Sequence, residues 1–359
     1  MGTKGTHDAN AISPVMKQIA SIDHHSIKTI LVIRQHNQLG DMLCAVPALR
    51  ALQESFPAAH IRFVLSPLHH DIINGCPFID EILNYDKTNF FNHPRRFFSF
   101  ARLLRIPHPD IAIVISTVSS SFTSNAMAWI SGAPIRIGPA SIADQTKGSR
   151  QFFTHPLVLD WTNTPRRHQI ERNLDTVRFL GADTKDFSID IGLTDIEKQF
   201  AREFFTQNKG SAQRVVGFHP GAGKVQNRWS ASFFANVANT LGKRFKAHIM
   251  ITAGPMDDEP VAAMIKELIV PFTIVKGRTI REVAAIIDQM SLYITNDTGT
   301  MHVAAATNAR ILSLFGPTNP YEWAPLGERN RFLRGKGGDI DLIKVDRVIE
   351  TAMEMLKKH

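Results

Sequence analysis

The stretch KTILVIRQHNQLGDMLCAVPALRALQESF, residues Lys28–Phe56, decides the fold. Its first part is an uninterrupted apolar run with β-branched residues, the signature of a strand buried on both faces. NQLGD is a short polar loop, and in MLCAVPALRALQESF the apolar residues recur every three or four positions, as on an amphipathic helix. The unit is therefore strand, loop, helix. It repeats: IRFVLSP, DIAIVIST and IRIG follow as strands in the first half. After the charged helix TDIEKQFAREFFTQNKG come RVVGFHPGAG, AHIMITAG, FTIVKG, LYITNDTG and RILSLFGPTNP, with helices starting near Ser230, Pro260 and Ile280. Uniformly apolar strands alternating with helices predict parallel sheets covered on both faces, so the fold class is α/β, doubly wound twice over.

Length supports two such units. The chain has 359 residues, 43% of them hydrophobic and 21% charged, enough for two cores. Residues 1–27 are polar and lack the apolar segment of a signal peptide, which predicts a flexible extension. The first α/β domain is expected over 28–190 and the second over 191–335, with the break between Ser188 and Asp195. Residues 336–359 have helical periodicity, and this helix is expected to return to the first domain. The two cysteines, Cys44 and Cys76, form no CxxC pair or Cys/His cluster. A disulfide framework and a structural zinc are thus not implied, which suits a cytoplasmic setting. No apolar run reaches the roughly 20 residues of a membrane span. The formal charge of +8 favours anionic partners without choosing among them.

Open parallel sheets bind ligands beyond the carboxyl ends of their strands. In the second half three strands end there in small or polar residues: HPGAG (His219–Gly223), TNDTGTMH (Thr295–His302) and FGPTNP (Phe315–Pro320). Glycine lets a backbone approach a ligand, and free N–H groups at a helix start attract phosphate. Together the loops predict a diphosphate site, although each alone reads more readily as a turn. Neither GxGxxG nor GxxxxGK[ST] follows a strand, which disfavours dehydrogenases and P-loop enzymes. In the first half Asp41 opens the first helix, either as its N-cap or as a general base facing the cleft. Asp257, Asp258 and Glu259 read as ion ligands, a ribose-binding acid or the acidic first turn of a helix. FFNHPRRFFSFARLLR places Arg95, Arg96, Arg102 and Arg105 among phenylalanines. That suits an anionic membrane, nucleic acid bases or a half-buried helix with solvated arginines.

With these loops in place, the chain resembles glycosyltransferase family 9, the bacterial lipopolysaccharide heptosyltransferases. LGDMLCAVPALRAL, HPGAG with NRW, GRTIREVAAII, NDTGTMHVAAA and FGPTNP occur in the family's order. The resemblance implies a GT-B fold, two Rossmann-like domains facing across a cleft, with the donor bound by the second and the acceptor by the first. It implies inverting transfer of a sugar, heptose from ADP-L-glycero-D-manno-heptose, to a lipid-linked core oligosaccharide on lipid A, at the cytoplasmic face of the inner membrane. It implies a nucleotide-sugar donor with no required cofactor, no metal and no nucleic acid partner. By position, Asp41 matches the general base. Asp297, Thr298, Gly299 and His302 match the donor-binding DTGxxH motif, Gly221 and Ala222 phosphate contacts, Asp258 an acid near the nucleoside, and Arg278 a position beside the base. Many members carry Lys where this chain has Asn227, and Lys224 or Arg228 is then expected to supply the charge. Arg95, Arg96, Arg102 and Arg105 become acceptor or membrane contacts. Two alternatives stay open: the same fold with another nucleotide sugar or a protein acceptor, and a non-catalytic binder of nucleic acid or anionic membrane.

Overall fold

The structure, a computed structural model, describes residues 23–357 except 36–37, 144 and 147–148. The expected N-terminal extension therefore lies outside the described residues as far as residue 22.

The first sheet contains β1 (Thr29–Ile33), β2 (His60–Leu65), β3 (Glu81–Asn84), β4 (Ile111–Val114), β5 (Ile135–Ile142), β6 (Gln145–Thr146) and β7 (His155–Leu159). Its order is β3-β2-β1-β4-β5, with β7 parallel and the short β6 antiparallel to β5. The helices of this half are α1 (Leu39–Leu43), α2 (Val46–Ser55), α3 (His70–Ile73), α4 (Lys87–Asn92), α5 (Pro94–Arg105), α6 (Phe122–Ile130) and α7 (Gln169–Arg178). One face of the sheet packs Ile30 and Val32 against Leu49, Leu52 and Leu174, and the other packs Leu31 and Ile33 against Phe100, Leu104 and Met127. Alternate residues of β1 thus serve opposite cores, which is why its sequence has no polar face.

The second sheet repeats the plan. It contains β8 (Val215–His219), β9 (His248–Thr252), β10 (Phe272–Val275), β11 (Leu292–Asn296), β12 (Ile311–Phe315) and β13 (Arg331–Arg334), all parallel in the order β10-β9-β8-β11-β12-β13. Its helices are α8 (Asp195–Asn208), α9 (Ala231–Phe245), α10 (Asp258–Lys266), α11 (Ile280–Asp288), α12 (Gly299–Ala305), α13 (Pro320–Trp323) and α14 (Val345–Lys357). α8 and α11 each begin with a capping box, Thr194 with Glu197 and Thr279 with Glu282, which fixes their starts by local hydrogen bonds. Ser230 precedes α9, but its hydroxyl meets Ser232 and makes no cap bond.

One expectation fails. α14 does not return to the first half. Val348, Ala352, Met355 and Leu356 form an apolar stripe that joins the core of the second sheet with Phe234 and Leu241 of α9. The indole Nε1 of Trp229 donates to the Ile343 carbonyl just before it at 3.1 Å. The stripe finds its complementary apolar surface on α9, so nothing apolar remains to carry the helix across.

The halves are joined through Arg281 of α11. Its guanidinium pairs with Glu197 and donates to the carbonyls of Ile191, Gly192 and, across the boundary, Ile72. Gly192 has φ +61°, and a Cβ there would stand 1.9 Å from the Gly75 carbonyl oxygen. The linker is pressed against the first half where only glycine fits.

Candidate active site

In both sheets the strand order reverses between the first and fourth strands, and the crevice at that reversal is where such sheets bind ligands. In the first half β1 and β4 flank it, and in the second half β8 and β11 do. The loops after β1, β8 and β11 are LGD, HPGAG and NDTG. They face one another across a cavity of about 480 Å³ lined by both halves.

From the first half come Leu39, Gly40 and Asp41. Asp41 is not an N-cap. Gln38 holds that position, and Asp41 sits in the first turn of α1, where helix N–H groups favour a carboxylate. Behind it lies Arg34, 2% exposed, whose Nη2 is 3.4 Å from Asp41 Oδ1. Arg34 Nη1 donates to Asn173 Oδ1 at 2.9 Å and to the Ile115 carbonyl at 3.1 Å. Burial depresses the guanidinium's pKa while Asp41 and Cys44 oppose that. A buried arginine at the end of an apolar strand needs such partners, and its presence in ILVIRQH was the sequence signal for an acid nearby.

The second half supplies Ala222, Lys224, Asn227, Asp257, Asp297, Thr298, Gly299 and His302. Asn227 Nδ2 donates to Asp297 Oδ2 at 2.9 Å. Burial raises the Asp297 carboxyl above its ordinary range, opposed by a hydrogen bond with Thr318 and by the charge of Lys224. Lys224 is the lysine or arginine of the described residues that lines the cavity. His302 is wholly buried, its ring 6.0 Å from that of Trp323 and its Nδ1 3.8 Å from Cys44 Sγ. Burial, with His168 nearby, pushes it down to about 3, so the imidazole is neutral at physiological pH. A Cβ on Gly40 would lie 2.6 Å from His302 Cδ2, and one on Gly299 3.3 Å from Leu39 Cβ. These glycines let α1 and α12 meet across the cleft.

Several expected residues lie elsewhere. Asp258 is exposed and paired with Lys276 Nζ at 2.5 Å, and the acid in the lining is its neighbour Asp257. Asp257 Oδ2 accepts from the Gly254 N–H at 2.7 Å, and its Oδ1 fills the space a Cβ on Gly221 would need. Gly221 thus supports the wall without lining it. Arg228 braces the loop instead, its Nε donating to the Ala222 carbonyl at 2.8 Å and its Nη1 3.4 Å from Glu259. Arg278 lies over the rings of Phe200 and Phe204 on α8, outside the lining. Among the described residues no three His, Cys, Asp or Glu side chains converge to hold a metal ion. The Arg/Phe segment is two helices, α4 and α5, divided at His93. Phe90 and Phe100 pack with Tyr85, whereas Phe98 is 73% exposed. The segment does not reach the cavity.

Comparison with known proteins agrees with this geometry. Residues 97–345 match the profile of glycosyltransferase family 9 (heptosyltransferase). The chain is 26% identical over 295 residues to lipopolysaccharide heptosyltransferase 3 of Escherichia coli, covering 80% of this chain and 83% of that protein. Among solved structures, a glycosyl transferase family 9 protein of Veillonella parvula superposes with a TM-score of 0.82 at 24% identity, covering 94% of this chain and 99% of the other. ADP-heptose lps heptosyltransferase II of E. coli superposes at 0.74 and 23% identity, covering 91% and 98%. The two facing parallel sheets are thereby the GT-B fold.

Proposed function

The chain belongs to glycosyltransferase family 9, the heptosyltransferases, and from that premise we propose that it transfers heptose from ADP-L-glycero-D-manno-heptose, with inversion, to a hydroxyl of a lipid-linked core oligosaccharide in lipopolysaccharide biosynthesis. The observation that carries this reading is the meeting of Asp41 with the NDTG turn across one cavity. Asp41 accepts the proton of the acceptor hydroxyl as that oxygen attacks the anomeric carbon. The glycosidic oxygen leaves with ADP. Negative charge then grows on the diphosphate, beside Lys224 and the first-turn amides of α12, which have no partner inside the helix. Asp297, held by Asn227 and Thr318, orients donor hydroxyls. Asp257, rather than Asp258, takes the ribose.

Incubation with ADP-heptose and a heptose-free core acceptor is expected to release ADP. Asp41→Ala is expected to lower kcat by roughly 10²–10⁴ while ADP affinity holds. Undiminished turnover in this variant would remove Asp41 as base, and faster turnover with a UDP sugar would replace the donor.

We place the membrane contact on α5. Arg95 and Arg102 are exposed, Phe98 and Ile106 are 73% and 55% exposed, and the helix carries no acid. An amphipathic basic surface with apolar tips suits anionic lipid. No helix among the described residues is long and apolar enough to span a bilayer. Phe98→Ser with Arg95→Ser is expected to weaken sedimentation with phosphatidylglycerol vesicles about tenfold. Equal binding to neutral and anionic vesicles would count against this surface.

A further inference from the structure

Behind Asp41 stands a guanidinium that takes no part in the transfer described above. Arg34 is 2% exposed and does not line the donor cavity, so it touches neither a diphosphate nor an acceptor hydroxyl. Stability does not account for it either. Taking a guanidinium out of water is costly, and an apolar side chain of similar size often serves a core as well or better. Here the cost is not fully offset, because Arg34 Nε has no hydrogen-bond partner among the described residues. What remains is an action through a neighbour.

Three elements hold Arg34 in place. Its backbone N–H continues the ladder to the Val64 carbonyl of β2 at 2.9 Å. Its Nη1 donates to the Ile115 carbonyl just beyond β4 and to Asn173 Oδ1 on α7. Asp41, by contrast, sits on α1, which is five residues long, and a helix of little more than one turn does not hold itself. The far end of α1 is tied to the residue that also holds Arg34. Asn173 is fully buried, and its Nδ2 donates to the Cys44 carbonyl at 3.0 Å and to the Gln169 carbonyl at 2.7 Å. Its amide fits only this way round, since the reverse would set N–H groups against the guanidinium and an oxygen against two carbonyls. One side chain thus fixes both the arginine behind Asp41 and the helix that carries Asp41.

We propose that Arg34, braced by Asn173, is the positioning residue of the general base, holding Asp41 Oδ1 so that Oδ2 meets the acceptor hydroxyl. The inference rests on the reading of Asp41 as base and adds the groups that aim it. An arginine does not give up its proton to a carboxylate, so Arg34 orients the base and leaves the proton's path to Asp41. Lysine is a poor substitute, because one ammonium cannot span Ile115, Asn173 and Asp41 as the planar fork does.

The test follows turnover of ADP-heptose with a heptose-free core acceptor, together with ADP affinity and the denaturation midpoint. The variants are Arg34→Met, Arg34→Lys and Asn173→Ala, with Arg34→Met repeated in the Asp41→Ala background. Misplacement of a reacting group is expected to lower kcat roughly a hundredfold in Arg34→Met and roughly tenfold in Arg34→Lys and Asn173→Ala, with acceptor KM and ADP affinity within about twofold. In the Asp41→Ala background, Arg34→Met is expected to cost nothing further, whereas a merely structural arginine slows both backgrounds alike. If Arg34→Met does not fold, Arg34→Lys and Asn173→Ala decide the matter. Wild-type kcat in the folded variants, a loss confined to KM, or equal losses in both backgrounds overturns the positioning role and leaves Asp41 as base. Full turnover in Asp41→Ala, or none in the wild type, overturns the transfer reading and the proposal with it.

Discussion

The two halves of the cleft start from the same topology and end in opposite chemistry. After β1 the chain presents Asp41 with the buried guanidinium of Arg34 behind it. After β11 it presents Asp297, held by the amide of Asn227 and by Thr318. The first carboxylate is backed by a buried cation, whereas the second is held by neutral donors with the charge of the exposed Lys224 nearby. A strand-to-helix turn therefore fixes where a carboxylate stands, while the group behind it decides what that carboxylate can do. The halves also meet directly: Gly40 of α1 lies against the His302 ring of α12, so each half shapes the other.

The sharpest way to break this comparison is to push the turns apart. Gly40→Ala places a Cβ 2.6 Å from the His302 ring, which is held by Cys44 and Trp323 and cannot easily yield. Overpacking of this kind costs about 1–3 kcal/mol. In chemical denaturation the loss is expected to shrink in a His302→Ala background; equal losses in both backgrounds would show that the two residues do not couple.

Acid tests two buried histidines where the halves meet, His302 of the second half and His168 of the first. Burial holds His302 at about 3 and His168 at about 4, below the ordinary value near 6.5. Both are depressed in the folded chain, so the unfolded chain binds more protons once the pH falls below about 6.5. Their contribution to stability is thus complete above that pH and is lost as the pH falls towards 4 and then 3. Each can contribute a slope of up to about 1.4 kcal/mol per pH unit within that window. His302→Gln is expected to flatten the denaturation midpoint between pH 6.5 and 4.5, and an unchanged profile would place the acid sensitivity elsewhere.

The smallest effect concerns charge. Lys224 is exposed and lines the donor cavity, so solvent screens it. Lys224→Met is expected to weaken ADP binding roughly fivefold, about 1 kcal/mol, with less loss at high salt. Arg228→Met should change ADP affinity less, because that guanidinium is engaged with Ala222 and Glu259.

Much of the fold could be read along the chain because the central strands are buried on both faces and the longer helices on one, which leaves a local pattern in the residues. The turns after β1, β8 and β11 were legible for the same reason, since glycine and small polar residues break that pattern. Asp257 was harder to separate from Asp258. They are adjacent acids at one helix start, and only the backbone path decides that the first folds back onto Gly254 while the second meets Lys276. Arg278 and Arg228 carried the right charge at plausible positions, yet their partners, two phenylalanines and a loop carbonyl, lie on elements distant in sequence or on a turn of unforeseeable shape.

The sequence by itself determined the alternation of strand and helix, the two-domain count and the loops at which chemistry gathers, because periodicity and turn chemistry act over a few residues. Only the tertiary structure decided which half α14 joins, that Arg34 stands behind Asp41, and that Gly40 gives way to His302. Those outcomes depend on complementary surfaces brought together from far along the chain, and no local pattern records which surface a stripe of apolar or charged residues will meet.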